Sequence, residues 1–244
     1  LLGYDGAELL ASDFVFPHGN SGHASGSALP VAFADGSFGL VVSSMSNDII
    51  YARASSSLEA GDWVDLAQTP SNKVHVVDVA ELKDGTGFWM AYVSRHDSKF
   101  RALKVDQTGT LLSEPQMVSA DDQPSAGIEP TRVSCASRAD GSLVVAWSLH
   151  GTASSVTDRV YVRIIGDSGP VTEAIEVSAG SGGNQAGASV AAFSDDGFVV
   201  AWHALGVDAA GSAVMAQLFD REAQPSRTLR VNALDYGDEH QPTV

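Results

Sequence analysis

Apolar residues along this chain come in short runs, such as "SLVVAW" and "GFVVAW", that alternate with polar residues or stay continuously apolar. Turn residues interrupt them every roughly 8 to 12 positions, and no stretch holds the 3.6-residue period of a helix. The runs are rich in Val, Ile, Phe and Trp, which fit a pleated surface. The pattern predicts an all-β chain.

One phrase recurs: "VAFADGSFGLVVS" from Val31, "VAELKDGTGFWMAYVS" from Val79, "VSCASRADGSLVVAWS" from Val133 and "VAAFSDDGFVVAWH" from Val190. Its Asp-Gly pairs are Asp35-Gly36, Asp84-Gly85, Asp140-Gly141 and Asp196-Gly197, spaced 49, 56 and 56 residues apart. Asp-Gly between two apolar runs is a strong hairpin signal, because both residues tolerate the positive φ of a tight turn. Each phrase therefore predicts two strands and a turn. A second pair of strands follows, as in "RVYVRIIGD" with "AIEVSAG" and "SAVMAQLFD" with "TLRVNA".

Four strands, a to d, in about 50 residues form one propeller blade. The expected blades are 27–73, 74–125, 126–184 and 185–239, with strands c and d of a preceding blade in 1–26 and the start of a further one in 240–244. The fold expected is a β-propeller. Another all-β repeat or a sandwich is the alternative, but a sandwich does not require a repeating unit, and a β-solenoid repeats at about 20 to 30 residues. The terminal strands alone would close the ring without a strand b. The chain is therefore expected to be a fragment of a longer one.

Composition narrows the function. The 244 residues, 44% of them hydrophobic, suffice for a full core. Fourteen Lys and Arg against 30 Asp and Glu leave a net charge of −16, which repels phosphate backbones and anionic lipid. Nucleic acid is not an expected partner. No apolar run is long enough for a membrane-spanning helix, so no membrane insertion is expected. Cys135 is the single cysteine, which excludes an intrachain disulfide and a thiolate metal cluster; it reads as a buried core thiol.

The pattern around "ASVAAFSDDGFVVAWH", followed by "VMAQLFD" and "LRVN", resembles a tandem repeat of large bacterial surface and secreted proteins, one often found beside hemolysin-type calcium-binding nonapeptides. The likeness is strongest over 188–244, good in the third unit and weaker in the first two, where Val42 and Tyr92 stand in place of Trp147 and Trp202. It implies a propeller-like, extracellular or cell-surface, non-catalytic module. The nonapeptide itself is absent, so the resemblance implies no calcium site and no catalytic residues.

Trp147 and Trp202, at the ends of strand b, are expected to pack between blades, and the Asp-Gly pairs to serve as turns. The d-to-a and b-to-c connections should emerge on one face, because successive strands run antiparallel. All seven histidines map there: His18, His23, His75, His96, His150, His203 and His240. His96, His150 and His203, with Asp97 or Asp208, are the candidate ligands for a divalent cation or polar ligand. Apart from such a cation no cofactor is expected.

A glycosidase needs two carboxylates flanking the scissile bond, and a sialidase-type site needs an Arg cluster. The mouth face offers chiefly Arg95 and Arg159, with its acids in Ser/Gly/Ala-rich loops, and no nucleophile-elbow, zinc-protease, phosphate-loop or dinucleotide signature has the right context. The expected function is a non-catalytic module for adhesion, protein interaction or structural assembly, with a protein or glycan partner or neighbouring subunits. Glycan or divalent-cation binding through the His/Asp-rich face is the alternative, and a propeller glycosidase a more distant one.

Overall fold

A computed structural model describes residues 28–43, 49–55, 64–67, 74–94, 99–119, 128–151, 158–179, 183–205 and 211–232. The terminal strands expected in 1–26 and 240–244 lie outside these residues. The described chain is all-β and folds as a β-propeller of four antiparallel sheets in chain order. Sheet 1 is β1 (Ala28–Ala32), β2 (Phe38–Ser43), β3 (Ile49–Ala54) and β4 (Val64–Ala67). Sheet 2 is β5 (Val74–Glu81), β6 (Gly87–Ser94), β7 (Lys99–Asp106) and β8 (Gln116–Met117).

Sheet 3 is β9 (Ile128–Ser137), β10 (Leu143–Gly151) and β11 (Arg159–Gly166), whose outer edge pairs with both β12 (Gly169–Pro170) and β13 (Ile175–Glu176). Sheet 4 is β14 (Gln185–Ala192), β15 (Phe198–Leu205), β16 (Ser212–Phe219) and β17 (Pro225–Arg230). Each sheet is a meander in which the a, b, c and d strands pair in sequence. The first strands of successive sheets lie side by side, β1 by β5, β5 by β9 and β9 by β14, so the sheets radiate from one line. The fourth strand of the last sheet, β17, is almost wholly exposed.

Strand b explains why its runs are continuously apolar. On β6, Phe88, Met90 and Tyr92 pack toward sheet 1, while Trp89, Ala91 and Val93 pack toward sheet 3. On β10, Leu143, Val145 and Trp147 join the core shared with sheet 2, while Val144 and Ala146 join the one shared with sheet 4. A strand sandwiched between two sheets must be apolar on both faces. Trp147 and Trp202 are 0% and 1% exposed and fill adjacent seams, in the inter-blade role expected of them. Burying a side chain of this size stabilises the fold by roughly 1.5–3 kcal/mol or more.

The a-to-b turns use Asp and Gly differently from the simple expectation. Gly36, Gly85 and Gly141 carry the positive φ, at 81°, 70° and 84°, and the preceding Asp does not. Each Asp instead accepts a hydrogen bond two residues on: Asp35 from the Ser37 N–H, Asp84 from the Thr86 N–H and Asp140 from the Ser142 N–H, all at 2.9 Å. The fourth turn takes the same roles one residue earlier than the Asp-Gly spelling indicates. Asp195 accepts the Gly197 N–H at 3.1 Å, and Asp196 occupies the left-handed position with φ 67°. The register of the repeat is therefore set by Trp147 and Trp202, not by the fourth Asp-Gly.

Polar side chains tie the seams together. The Tyr51 hydroxyl donates to the Gln107 carbonyl across the first seam at 2.8 Å, and the Trp89 Nε1–H donates to the Gly141 carbonyl across the second at 3.0 Å. Arg138, 3% exposed, reaches across the third: its Nε and Nη2 donate to the Asp196 and Arg221 carbonyls at 3.0 and 2.8 Å.

Candidate functional site

Of the five candidate ligands, His96, Asp97 and Asp208 lie outside the described residues. His150 lies on β10, its backbone opposite Glu129 on β9. His203, half-buried on β15, stands opposite Ala186 and Val214. The two histidines are not equivalent in the repeat. Aligning Trp147 with Trp202 places His203 level with Ser148, so His150 falls two residues farther along its strand. Among the described residues, no group of three His, Cys, Asp or Glu is placed to hold a metal ion. The described part of this face is held instead by amides, hydroxyls and an ion pair.

At the b-to-c end of the third seam, Asn184 and Gln185 lace the d-to-a connection to its neighbours. The Asp158 N–H donates to Asn184 Oδ1 at 3.4 Å, and the Gln185 N–H to the Asp158 carbonyl at 3.2 Å. The Trp202 Nε1–H, deep in the seam, donates to Gln185 Oε1 at 2.8 Å. The Ser148 hydroxyl accepts the Ala188 N–H from the facing sheet at 3.2 Å.

The same end of the second seam is built differently. Val133, Trp147, Tyr161 and Glu176 form one row across β9, β10, β11 and β13. Trp147 and Tyr161 stack with ring centroids 5.8 Å apart and an interplanar angle of 21°. Two register positions toward the loops, Leu149 stands opposite Arg159. Arg159 Nε meets Glu176 Oε1 at 3.0 Å, and both side chains are 34% exposed. The buried Arg159 Nη1 and Trp147 Nε1 have no hydrogen-bond partner among the described residues. Buried donors in native structures are nearly always satisfied, so these two mark a place where an acceptor belongs.

Residue identity at one shared register position explains the difference between the seams. In sheet 4, Ala204, two residues after Trp202, pairs with Gln185. In sheet 3 the equivalent Leu149 pairs with Pro130, and both ladders carry a register shift near this pair. A proline offers no side-chain acceptor. Arg159 is one of the few cations that the sequence places on the mouth face. The contrast between Pro130 and Gln185 carries no motif of its own and gains meaning only from the Trp202–Gln185 hydrogen bond.

A half-buried acid lies nearer the axis. Asp78, at a bulge of β5, accepts the Cys135 N–H at 2.7 Å from the neighbouring sheet and the Val79 N–H at 2.9 Å. Burial raises its carboxyl above the ordinary value, against the lowering effect of these hydrogen bonds. Burial, then the Asp78 charge, pushes the Cys135 thiol well up, so the buried cysteine is a poor nucleophile.

No protein-family model matches this sequence, and no curated protein matches it. Solved structures do match. An ulvan lyase, a polysaccharide lyase, aligns with TM-score 0.58 at 8% identity, covering 83% of this chain and 55% of the lyase. A second polysaccharide lyase aligns with TM-score 0.53 at 9% identity over 84% and 48% of the two chains. A protein from Lactobacillus plantarum aligns with TM-score 0.52 at 13% identity over 86% and 55%. At these identities the likeness is one of fold.

Proposed function

We propose that this chain is a non-catalytic, propeller-type interaction module of an extracellular or cell-surface protein, acting through its b-to-c and d-to-a face. The observation that carries this reading is how the polar side chains are used. Asp35, Asp84, Asp140 and Asp195 accept backbone N–H groups within their own turns. Arg138 and Asp78 bind backbone groups of neighbouring sheets. Groups spent on holding a scaffold are not poised for acid–base or nucleophilic chemistry. The sequence resemblance to bacterial surface repeats supports the same reading.

A glycan is the alternative partner. It is favoured by the Arg159–Glu176 pair beside an unsatisfied indole N–H, and fold analogy with two polysaccharide lyases adds weak support. A divalent cation held by His96, His150 and His203 with Asp97 or Asp208 belongs to the same alternative. A glycan array paired with a turnover assay on the same panel separates the readings. Silence in both favours a protein partner, binding without turnover favours the glycan reading, and turnover overturns the non-catalytic assignment. Calorimetric titration with Zn²⁺ tests the cation, which a heat no greater than buffer would eliminate.

A further inference from the structure

We infer that the b-to-c end of the second seam is a saccharide subsite, in which a sugar hydroxyl takes the place at Trp147 that Gln185 Oε1 takes at Trp202. The inference rests on the glycan reading above and deepens it by naming the subsite and the group it recognises.

The starting point is a difference between two copies of one motif. Both tryptophans are the fifth residues of their b strands, in mid-strand and not at the ends expected from the sequence, and both are buried. The Trp202 Nε1–H is satisfied from strand a by Gln185, whereas Pro130 occupies that register position in sheet 3 and leaves the Trp147 Nε1–H without an acceptor among the described residues. A scaffold that needed only to pack would gain by keeping the glutamine, because an unmet buried donor costs about 1–3 kcal/mol.

The neighbouring groups specify the acceptor. Arg159 Nη1 is a second buried donor without a described partner, on the strand beside Trp147 and two register positions away. Glu176, in the Trp147 row, is acceptor-only when ionised and holds Arg159 Nε at 3.0 Å. Two donors and one acceptor, with the guanidinium charge already balanced by the carboxylate, suit a neutral group that both accepts and donates. A hydroxyl does this, and adjacent sugar hydroxyls can accept from the indole and guanidinium while donating to Glu176. An anion would have to displace Glu176, and an ammonium would face two donors. Arg159 and Glu176 are each 34% exposed and supply the solvent-facing groups of the subsite, while the indole is buried.

The test uses the whole chain labelled with ¹⁵N, so that the indole N–H signals are read directly, with the Trp147 signal assigned by its loss in Trp147→Phe. The probes are the methyl glycosides of glucose, galactose and mannose, and an oligosaccharide hit from the array. The inference expects a saturable shift of the Trp147 indole signal with at least one probe, while the Trp202 signal stays in place. Pro130→Gln, which installs the acceptor that sheet 4 carries, should weaken that binding by about fivefold or more, the worth of one hydrogen bond. Arg227→Ala, on the exposed strand β17, should leave it unchanged.

Array hits that leave the Trp147 signal unmoved, or that bind Pro130→Gln as tightly as the parent, overturn the subsite while sparing the glycan reading. Silence of every glycan removes both. Should Pro130→Gln fold poorly, Arg159→Lys serves instead. It keeps the charge but loses the fork geometry, and undiminished binding in that variant would equally overturn the assignment.

Discussion

The turn residues show how little freedom individual positions have. Gly141 sits at φ 84° with open space where a Cβ would go, its nearest atom being Lys104 Nζ at 3.8 Å. Gly141→Ala should therefore lose only the left-handed backbone penalty, about 1–2 kcal/mol, read as a lower urea midpoint at unchanged m. Gly87 poses a different problem, since a Cβ there would lie 2.1 Å from the Val105 carbonyl oxygen. Gly87→Ala must move backbone and should destabilise more than Gly141→Ala, and an equal or smaller loss would contradict the packing of β6 on β7.

The acids of these turns also set the response to pH. The Ser37 hydroxyl and N–H lower the Asp35 carboxyl, and the Thr86 N–H and hydroxyl lower Asp84. A carboxyl whose folded value is depressed contributes stability above its unfolded value of about 3.9, and that contribution is lost as pH falls through the folded value. Asp78 runs the other way. Its folded value is raised, so its contribution is fully present below about pH 3.9 and lost as pH rises through the folded value. Melting curves from about pH 3 to 7 should show the parent losing stability toward acid, with a steeper relative loss in Asp78→Asn, which removes the opposing group. A parallel pair of curves would mean that Asp78 does not titrate differently in the folded state.

At the level of elements, the two strand-b tryptophans separate packing from hydrogen bonding. Trp202→Phe removes the indole donor from which buried Gln185 Oε1 accepts, while Trp147→Phe removes a donor that has no described partner. The first should cost about 1–3 kcal/mol more than the second in equilibrium denaturation. Equal losses would show that the two indole N–H groups are equivalent after all. The strands themselves were legible in the sequence because burial on both faces writes itself as continuous apolar runs, as in Leu143 to Trp147. The site was less legible for a geometric reason. Pro130 and Gln185 stand 55 residues apart, as Trp147 and Trp202 do, but nothing marks them as partners of an indole until the Trp202–Gln185 hydrogen bond is in place, and the extra Asp of the fourth turn shifts the apparent repeat by one residue. The 53 residues between His150 and His203 fall close to the 55 between Trp147 and Trp202, which hides the offset of the two histidines.

Across the whole molecule, long-range repulsion and short-range tethers compete. Thirty acids against 14 bases give a net charge of −16, and self-repulsion at that density opposes compaction. The charge pairs that hold sheets together work in the other direction. Lys104 Nζ to Asp167 at 3.0 Å joins sheets 2 and 3 but leaves the Asp167 side chain 69% exposed, so it contributes at most about 1 kcal/mol. Arg138 donates to carbonyls while only 3% exposed, and salt screens it little. Added salt thus weakens the repulsion among many exposed acids more than it weakens the few tethers. The melting temperature should rise as NaCl increases from a few millimolar to about 0.1 M, where the screening length reaches about 10 Å, and then level off. A fall over that range would mean that exposed pairs such as Lys104–Asp167 hold the sheets together, and that the buried carbonyl-bound Arg138 and the apolar seams are secondary.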